Sequence, residues 1–351
     1  MTKEQLHEIF SVCGADALFL EQDFLRRYVT GFYSTDGYVV YDGETCTFVA
    51  DARYFEAAQN ALAGSFVTVR EGTYAAAMEL VRGKKTLGVP FPYISRAASD
   101  RLEGEGFALV DCMPALRTAM KVKSEAEIAL IGQACDIAEE GLLATLPRLK
   151  EGMTERELAA VLEYEMRMRG AEGVSFETIV AFGAGSSVPH HETGDTKLRF
   201  GDVVLIDYGC KKGGYCSDCT RTFLFGDDGK HEGFKKHYAL VLEAHELAKA
   251  RIVAGMTGKE ADEIARGFFR KHGLDGAFTH SLGHGIGLEI HEHPMLSPKS
   301  EEVLLNGMVF SDEPGLYFAG KYGIRIEDSV TLQGGKVVSF MHKTEHGLLI
   351  L

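Results

Sequence analysis

No apolar run in this chain approaches the ~18 residues of a membrane-spanning helix. The opening MTKEQLHEIFSVCGADALFLEQ has no apolar core set between a basic flank and a cleavage site. A cytoplasmic protein without a membrane partner is therefore expected. Basic residues are in short supply: 37 Lys and Arg against 51 Asp and Glu leave a formal charge of −14. That balance argues against a nucleic-acid partner, because phosphate backbones select basic faces. Cysteine is sparse and odd in number, seven scattered over the chain, so reduced thiols are expected rather than a disulfide framework. Cys216 and Cys219 form a CxxC, but no second pair accompanies it and no helix start follows, so the two read as buried thiols. The absence of short-period repeats and low-complexity segments sets solenoids aside.

What is present is the composition of a soluble globular chain, 351 residues with 45% hydrophobic and 25% charged, long enough for about two domains. Residues 1–117 alternate strand-like runs (17–20, 38–41, 47–50, 66–69, 86–89, 108–110) with amphipathic stretches such as 53–62 and 75–81, the pattern of an open α/β sheet covered by helices. This half carries no catalytic constellation, and His7, its one histidine, fits a solvated helix position. Arg53 and Tyr54, after Asp51, could reach a neighbouring subunit, but an ordinary helix start explains them equally well.

A boundary is expected near 113–122, opening a second domain over 118–351. Ser124 to Glu127, Thr154 to Glu157 and Thr257 to Glu260 have capping-box spacing and predict helices beginning near 125, 155 and 258, with a fourth across 235–254. Strands are expected at 175–181, 203–208, 215–223, 308–313 and 325–332, an α+β arrangement. Within it GDVVLIDYGCKKGGYCSDCTRTF reads as a β-hairpin. A turn centred on Lys212-Gly213 would set Asp207 directly opposite Asp218, with Cβ atoms about 4.5–5.5 Å apart on one face. Two ionised carboxylates so placed repel, and a divalent cation between them removes that penalty.

Other polar residues cluster without a hydrophobic pattern to explain them. In HSLGHGIGLEIHEH the interposed Gly283, Gly285 and Gly287 exclude both a zinc-binding helix and a dinucleotide loop. Glu313 precedes Pro314, which breaks a strand ladder where a carboxylate must turn, and Glu327 shares a face with Arg325. Each alone would be an ordinary solvated glutamate. With Asp207, Asp218 and His284 they form four carboxylates and one imidazole, a donor set suited to two divalent ions and a water-activating site.

DYGCKKGGYCSDCTRT, HSLGHGIGLEIHE, DEPGLY and GIRIED, with VPHH upstream, resemble the motifs of the pita-bread metallopeptidases. The whole chain is similar to their Xaa-Pro aminopeptidase and Xaa-Pro dipeptidase (prolidase) branch. RRYVTGF and ADARYFEAA resemble that branch's creatinase-like N-terminal domain. The resemblance implies an α/β N-terminal domain plus an α+β pita-bread catalytic domain. It implies Asp207, Asp218, His284, Glu313 and Glu327 as metal ligands, with Asp218 and Glu327 bridging. His190 and His291 would contact substrate and serve catalysis with Glu313, His280 would line the pocket, and Arg325 would orient a ligand carboxylate. It further implies two divalent ions (manganese first, with cobalt or zinc as alternatives), small proline-containing peptides as substrates, cleavage of the Xaa-Pro bond in short peptides or dipeptides, and a homodimer. The short 313–327 connection goes with members that act on dipeptides. Asp312 stands where an apolar residue often precedes the glutamate. A metal-free creatinase-like amidinohydrolase or a non-catalytic binding module on the same fold would be expected to have lost ligands. A methionine aminopeptidase would usually lack the first domain.

Overall fold

A computed structural model describes residues 1–351 and divides them into two compact units, Met1–Met120 and Lys121–Leu351. The expected change after residue 117 falls inside the helix Met113–Lys121, and the division lies at that helix's end. No helix is long and apolar enough to cross a membrane.

In the first unit one six-stranded sheet runs in the spatial order Val67–Glu71, Cys46–Ala50, Tyr38–Tyr41, Ala17–Leu20, Thr86–Val89, Ala108–Asp111. Tyr38–Tyr41 and Cys46–Ala50, joined by a short turn, pair antiparallel, whereas the strands joined through the helices Phe55–Ala61 and Arg96–Gly104 pair parallel, since a parallel return needs a helix-length crossover. Ala17–Leu20 and Cys46–Ala50 are buried at every position, as expected of strands covered on both faces. Arg53 is held by Asp51 and Asp36 at 2.6 Å each, an exposed local cluster at the start of its helix.

The second unit packs four helices, Glu125–Thr145, Glu155–Met168, Glu232–Arg251 and Gly258–Lys271, with antiparallel sheets. Three of the four begin with the full reciprocal capping box that the sequence spacing predicts, at Ser124, Thr154 and Thr257. A three-stranded sheet orders Cys219–Phe225, Asp202–Tyr208, Ile179–Phe182. A five-stranded sheet orders Glu292–Leu296, Gly283–Gly285, Val309–Asp312, Asp328–Gln333, Lys336–Ser339. Phe234, Tyr238, Val241, Ala261 and Phe269 from two helices pack against Phe310, Ile324, Ile326 and Val330 to form a continuous apolar core.

The hairpin departs from its expected register. Its turn is Gly213-Gly214, both with positive φ (58° and 85°), and Lys212 pairs with Tyr215. Two consecutive residues in that region call for two glycines, which a Lys212-Gly213 turn lacks. Asp207 therefore faces Thr220, not Asp218. Asp218 lies in a break between Tyr215–Cys216 and Cys219–Phe225, opposite Gly209, where a Cβ would come within 2.0 Å of the Ser217 carbonyl. The expected 325–332 strand is likewise split at Ile326-Glu327, between Tyr322–Arg325 and Asp328–Gln333. Both breaks fall at candidate ligands.

The sequence reading missed the strands Gly283–Gly285, Glu292–Leu296, Gly315–Phe318 and Lys336–Ser339. The first is disguised by its glycines, which are there because neighbouring backbone leaves no room: a Cβ on Gly283 would sit 1.9 Å from the Ser311 carbonyl. Gly283→Ala should accordingly lower unfolding free energy by about 1–3 kcal/mol through forced backbone displacement. Gly276→Ala, with nothing within 4 Å of the added carbon, should stay within about 0.5 kcal/mol of wild type. Urea denaturation of the two variants makes the comparison.

Candidate metal centre

Five donor side chains converge where the break at Asp218 meets the break at Glu327. A bridge between Thr220 and Glu327 joins the two segments, with the Glu327 amide donating to the Thr220 carbonyl at 3.1 Å. The Asp218 amide donates to Ser329 Oγ at 3.0 Å, and Ser329 Oγ donates back to the Asp218 carbonyl at 2.8 Å. Backbone groups freed by the breaks are thereby satisfied, and both carboxylates turn into a common space. Asp207 enters from the adjacent strand. Glu313 follows the last paired residue of Val309–Asp312, its amide held by the Leu282 carbonyl at 2.9 Å.

His284 sits at an irregularity in the pairing of Gly283–Gly285 with Glu292–Leu296, the kind of bulge that re-aims a side chain. Its Nδ1 lies 3.1 Å from the Gly285 carbonyl and can only donate there. Nε2 is then the unprotonated nitrogen, and it faces Asp218 Oδ2 and Glu313 Oε1, each at 3.5 Å. Donor atoms of Asp218, His284 and Glu327 lie within 4.8 Å of one another.

Few cations offset this acidity. Arg325 donates from Nη2 to Asp207 Oδ2 at 2.6 Å, from Nε to Thr220 Oγ1 at 2.9 Å and from Nη1 to the Tyr317 hydroxyl at 2.7 Å. Thr220 Oγ1 in turn donates a hydrogen bond to Glu327 Oε2 at 2.6 Å, and Ser311 Oγ donates to Glu313 Oε1 at 3.1 Å. Burial, then repulsion from Glu327, Asp207 and Glu313, holds the Asp218 carboxyl well above the ordinary range. Burial and the neighbouring acids do the same to Glu327. Glu313 is pushed up to about 8, chiefly by burial, with Arg325 opposing. Burial and then His291 drive His284 down to about 3, so its imidazole is neutral. Asp207 Oδ1 is buried without a hydrogen-bond partner. Crowded carboxylates, an unsatisfied oxygen and a neutral imidazole with its lone pair inward fit divalent cations held by oxygen and nitrogen donors.

All nine sequence-predicted site residues line one cavity of about 770 Å³. The His291 ring stands edge-on to His284 at 4.3 Å. His280 is less free than its expected pocket-lining role suggests: Nδ1 faces the Ser281 carbonyl at 2.8 Å and Nε2 the Tyr317 hydroxyl at 2.9 Å. His190 is presented by a loop that Glu155 pins from below. That buried carboxylate takes the Phe182 amide at 2.9 Å, the Gly194 amide at 3.0 Å and His191 Nε2 at 3.0 Å. Sequence reasoning missed Tyr317, Thr220, Ser311 and Glu155. Hydroxyls carry no pattern of their own, and Glu155 reads as a routine acid in a first helical turn.

With Glu313 raised from 4.5 to about 8, the folded metal-free chain holds a proton that the unfolded chain releases. Its stability should therefore fall as pH rises between about 4.5 and 8. The Tm of chelated protein should drop across that window, and saturating divalent metal should flatten the slope. A flat or rising Tm without metal would contradict the charge crowding.

Residues 129–333 match the family described as Metallopeptidase family M24, and residues 3–119 match the Creatinase/Prolidase N-terminal domain. The chain is 34% identical to the Xaa-Pro dipeptidase of Pyrococcus furiosus over 99% of its own length and 100% of that protein. Among solved structures it is similar to the Xaa-Pro dipeptidase from Bacillus anthracis, with a TM-score of 0.92 and 32% identity, covering 99% of this chain and 98% of that one. The X-Pro aminopeptidase from Thermotoga maritima superposes with a TM-score of 0.90 at 34% identity, covering 98% and 99%. With its ligand-type residues gathered on one cavity and the family match spanning that unit, the chain belongs to metallopeptidase family M24 and carries a creatinase/prolidase N-terminal domain ahead of its peptidase domain.

Proposed function

We propose that this protein is an exopeptidase that hydrolyses the Xaa-Pro bond at the N-terminus of short peptides or dipeptides, with two divalent ions held by Asp207, Asp218, His284, Glu313 and Glu327. The observation that carries the reading is the convergence of three buried carboxylates, the half-buried Glu313 and a neutral imidazole on one wall of the cavity that His190 and His291 also line. The relatives named Xaa-Pro dipeptidase, aligned over nearly the whole chain, support the choice of bond. Bound divalent ions supply an activated water near neutral pH and polarise a carbonyl. Asp218 and Glu327, the most buried of the acids, would be the ligands shared by both ions, and Arg325 fixes the orientation of Asp207. Glu313 moves a proton from the attacking water to the proline nitrogen, which carries no hydrogen of its own and must gain one to depart. His291 and His190 donate hydrogen bonds to the carbonyl oxygen as charge develops on it. A metal-free amidinohydrolase would leave the carboxylates repelling one another with only Arg325 among them.

Manganese as the resident metal, with cobalt or zinc as alternatives, a homodimer separable from monomer by sedimentation, and a cytoplasmic location complete the proposal. Seven free cysteines, six of them buried, fit a reducing compartment. On substrate length one observation favours peptides beyond dipeptides. Arg325 is the one Lys or Arg lining the cavity, and Asp207 already takes its guanidinium, whereas a free proline carboxylate buried there would need a cation of its own.

Chelation should abolish activity, and manganese should restore it. Asp218→Ala should lose both metal and turnover, while His291→Ala should keep metal at wild-type stoichiometry and lose at least 100-fold in kcat, consistent with the size of general acid–base contributions, roughly 10²–10⁴. Metal analysis beside kinetics separates the two roles, and full activity in metal-free protein would overturn the mechanism. For length, an Xaa-Pro dipeptide compared with the same dipeptide extended by two residues should show the higher kcat/KM for the extended peptide. A preference for the free dipeptide would place a carboxylate-binding cation in the site after all.

A further inference from the structure

The strand pair that delivers two of the proposed ligands hides a second, opposite-facing pair of acids. In the ladder between Val309–Asp312 and Asp328–Gln333, Asp312 and Asp328 are directly opposed, and both are fully buried. Like charges directly opposite one another destabilise a sheet. Glu313 and Glu327 are the next residues out on each strand, and alternation turns them to the other face, toward the cavity. Because the side-chain period is two, a one-residue slip would exchange the faces, burying the glutamates beneath the sheet and sending the aspartates into the site.

What stands between the opposed aspartates is one imidazole. His245, fully buried on the helix Glu232–Arg251, places Nδ1 3.2 Å from Asp312 Oδ2 and Nε2 3.5 Å from Asp328 Oδ2. We infer that His245 is a positioning residue for the metal centre, bridging Asp312 and Asp328 so that the strand register opposing those two aspartates, with Glu313 and Glu327 next to them on the cavity face, is the only one compatible with the core. The inference rests on the reading of Glu313 and Glu327 as metal ligands.

The two aspartates differ in their dependence on His245. Asp328 also takes Arg221 Nη2 at 3.0 Å, His346 Nε2 at 2.8 Å, Lys249 Nζ at 3.4 Å and Ser339 Oγ at 2.8 Å. Asp312 has His245 as its ion-pair partner, and neither of its oxygens has a hydrogen bond. Burial works to lower the His245 pKa, but the two aspartates outweigh it and carry it up to about 9, as suits a protonated bridge at neutral pH. A metal ion is a poorer occupant of this place. Donor atoms of His245, Glu246 and His346 do lie within 4.8 Å of one another, yet Arg221 stands 3.2 Å from His346 Nε2 and Lys249 lies beside Asp328, so the cluster already holds its cations.

The test is manganese(II) titration of chelated protein by calorimetry, at a temperature where circular dichroism shows every variant folded. His245→Gln removes the positive charge and leaves Asp312 facing Asp328, and its manganese affinity should fall at least tenfold. The double variant His245→Gln/Asp312→Asn replaces the charged contact with a neutral amide pair and should recover affinity to within about threefold of wild type. A His245 that merely stabilised the fold would lower Tm and leave affinity unchanged, so affinity within twofold of wild type in His245→Gln overturns the inference. If His245→Gln is insoluble, a double variant that folds and binds manganese supports the inference, and one that is insoluble or does not recover overturns it. Asp218→Ala, titrated alongside, separates the two readings: if it binds manganese normally, the ligand assignment fails whatever His245 does.

Discussion

Mutual repulsion among buried carboxylates is the constraint around which the second unit is built. Asp207, Asp218, Glu313 and Glu327 line one cavity, where Glu327, Asp207 and Glu313 raise the cost of ionising Asp218, and Glu313 and Asp207 that of ionising Glu327. Such an arrangement is tolerable only when positive charge enters it. The protein supplies one fixed guanidinium, Arg325, and two hydroxyls, Thr220 and Ser311, that donate to the Glu327 and Glu313 carboxylates. That leaves a deficit of positive charge suited to divalent cations. The neutral tautomer of His284, set by the Gly285 carbonyl, adds a nitrogen lone pair on the same side.

Holding acids together against this repulsion requires a rigid backbone, and the fold provides it through interrupted strands in place of long loops. At Asp218 and again at Glu327 the ladder stops for two residues, the freed amides and carbonyls find partners on the neighbouring segment, and pairing resumes. Gly209 and Gly283 allow chains to cross so closely that any side chain would collide with a carbonyl. The same economy extends to the strand pair Val309–Asp312 and Asp328–Gln333, whose cavity-facing glutamates are backed on the hidden face by aspartates gripping His245. Placing charge on both faces of one strand pair leaves a single register in which neither set is stranded in apolar surroundings.

Much of this was legible before any coordinate. Helix starts at Ser124, Thr154 and Thr257 follow from reciprocal hydrogen bonds within four residues, a local signal that tertiary packing has no reason to override. The strands of the first unit follow from short apolar runs between turns. The hairpin was misread by one position because a Lys-Gly turn and a Gly-Gly turn are adjacent in the string, and only the two positive φ values tell them apart. The strand Gly283–Gly285 escaped notice because glycine usually weakens strands, and here it serves close approach of the backbone, which no single segment reveals.

By itself the sequence determined the capped helix starts and the strands of the first unit, the identity of the acids and histidines set apart by glycines and a proline, and the resemblance that named their chemistry, because these depend on local hydrogen bonding and on residue type. Tertiary structure alone decided which of those residues meet. Asp207 and Arg325, Thr220 and Glu327, and His245 with Asp312 and Asp328 are each separated by many residues in the chain. Their contacts come from strand register and helix packing, which are properties of the folded whole.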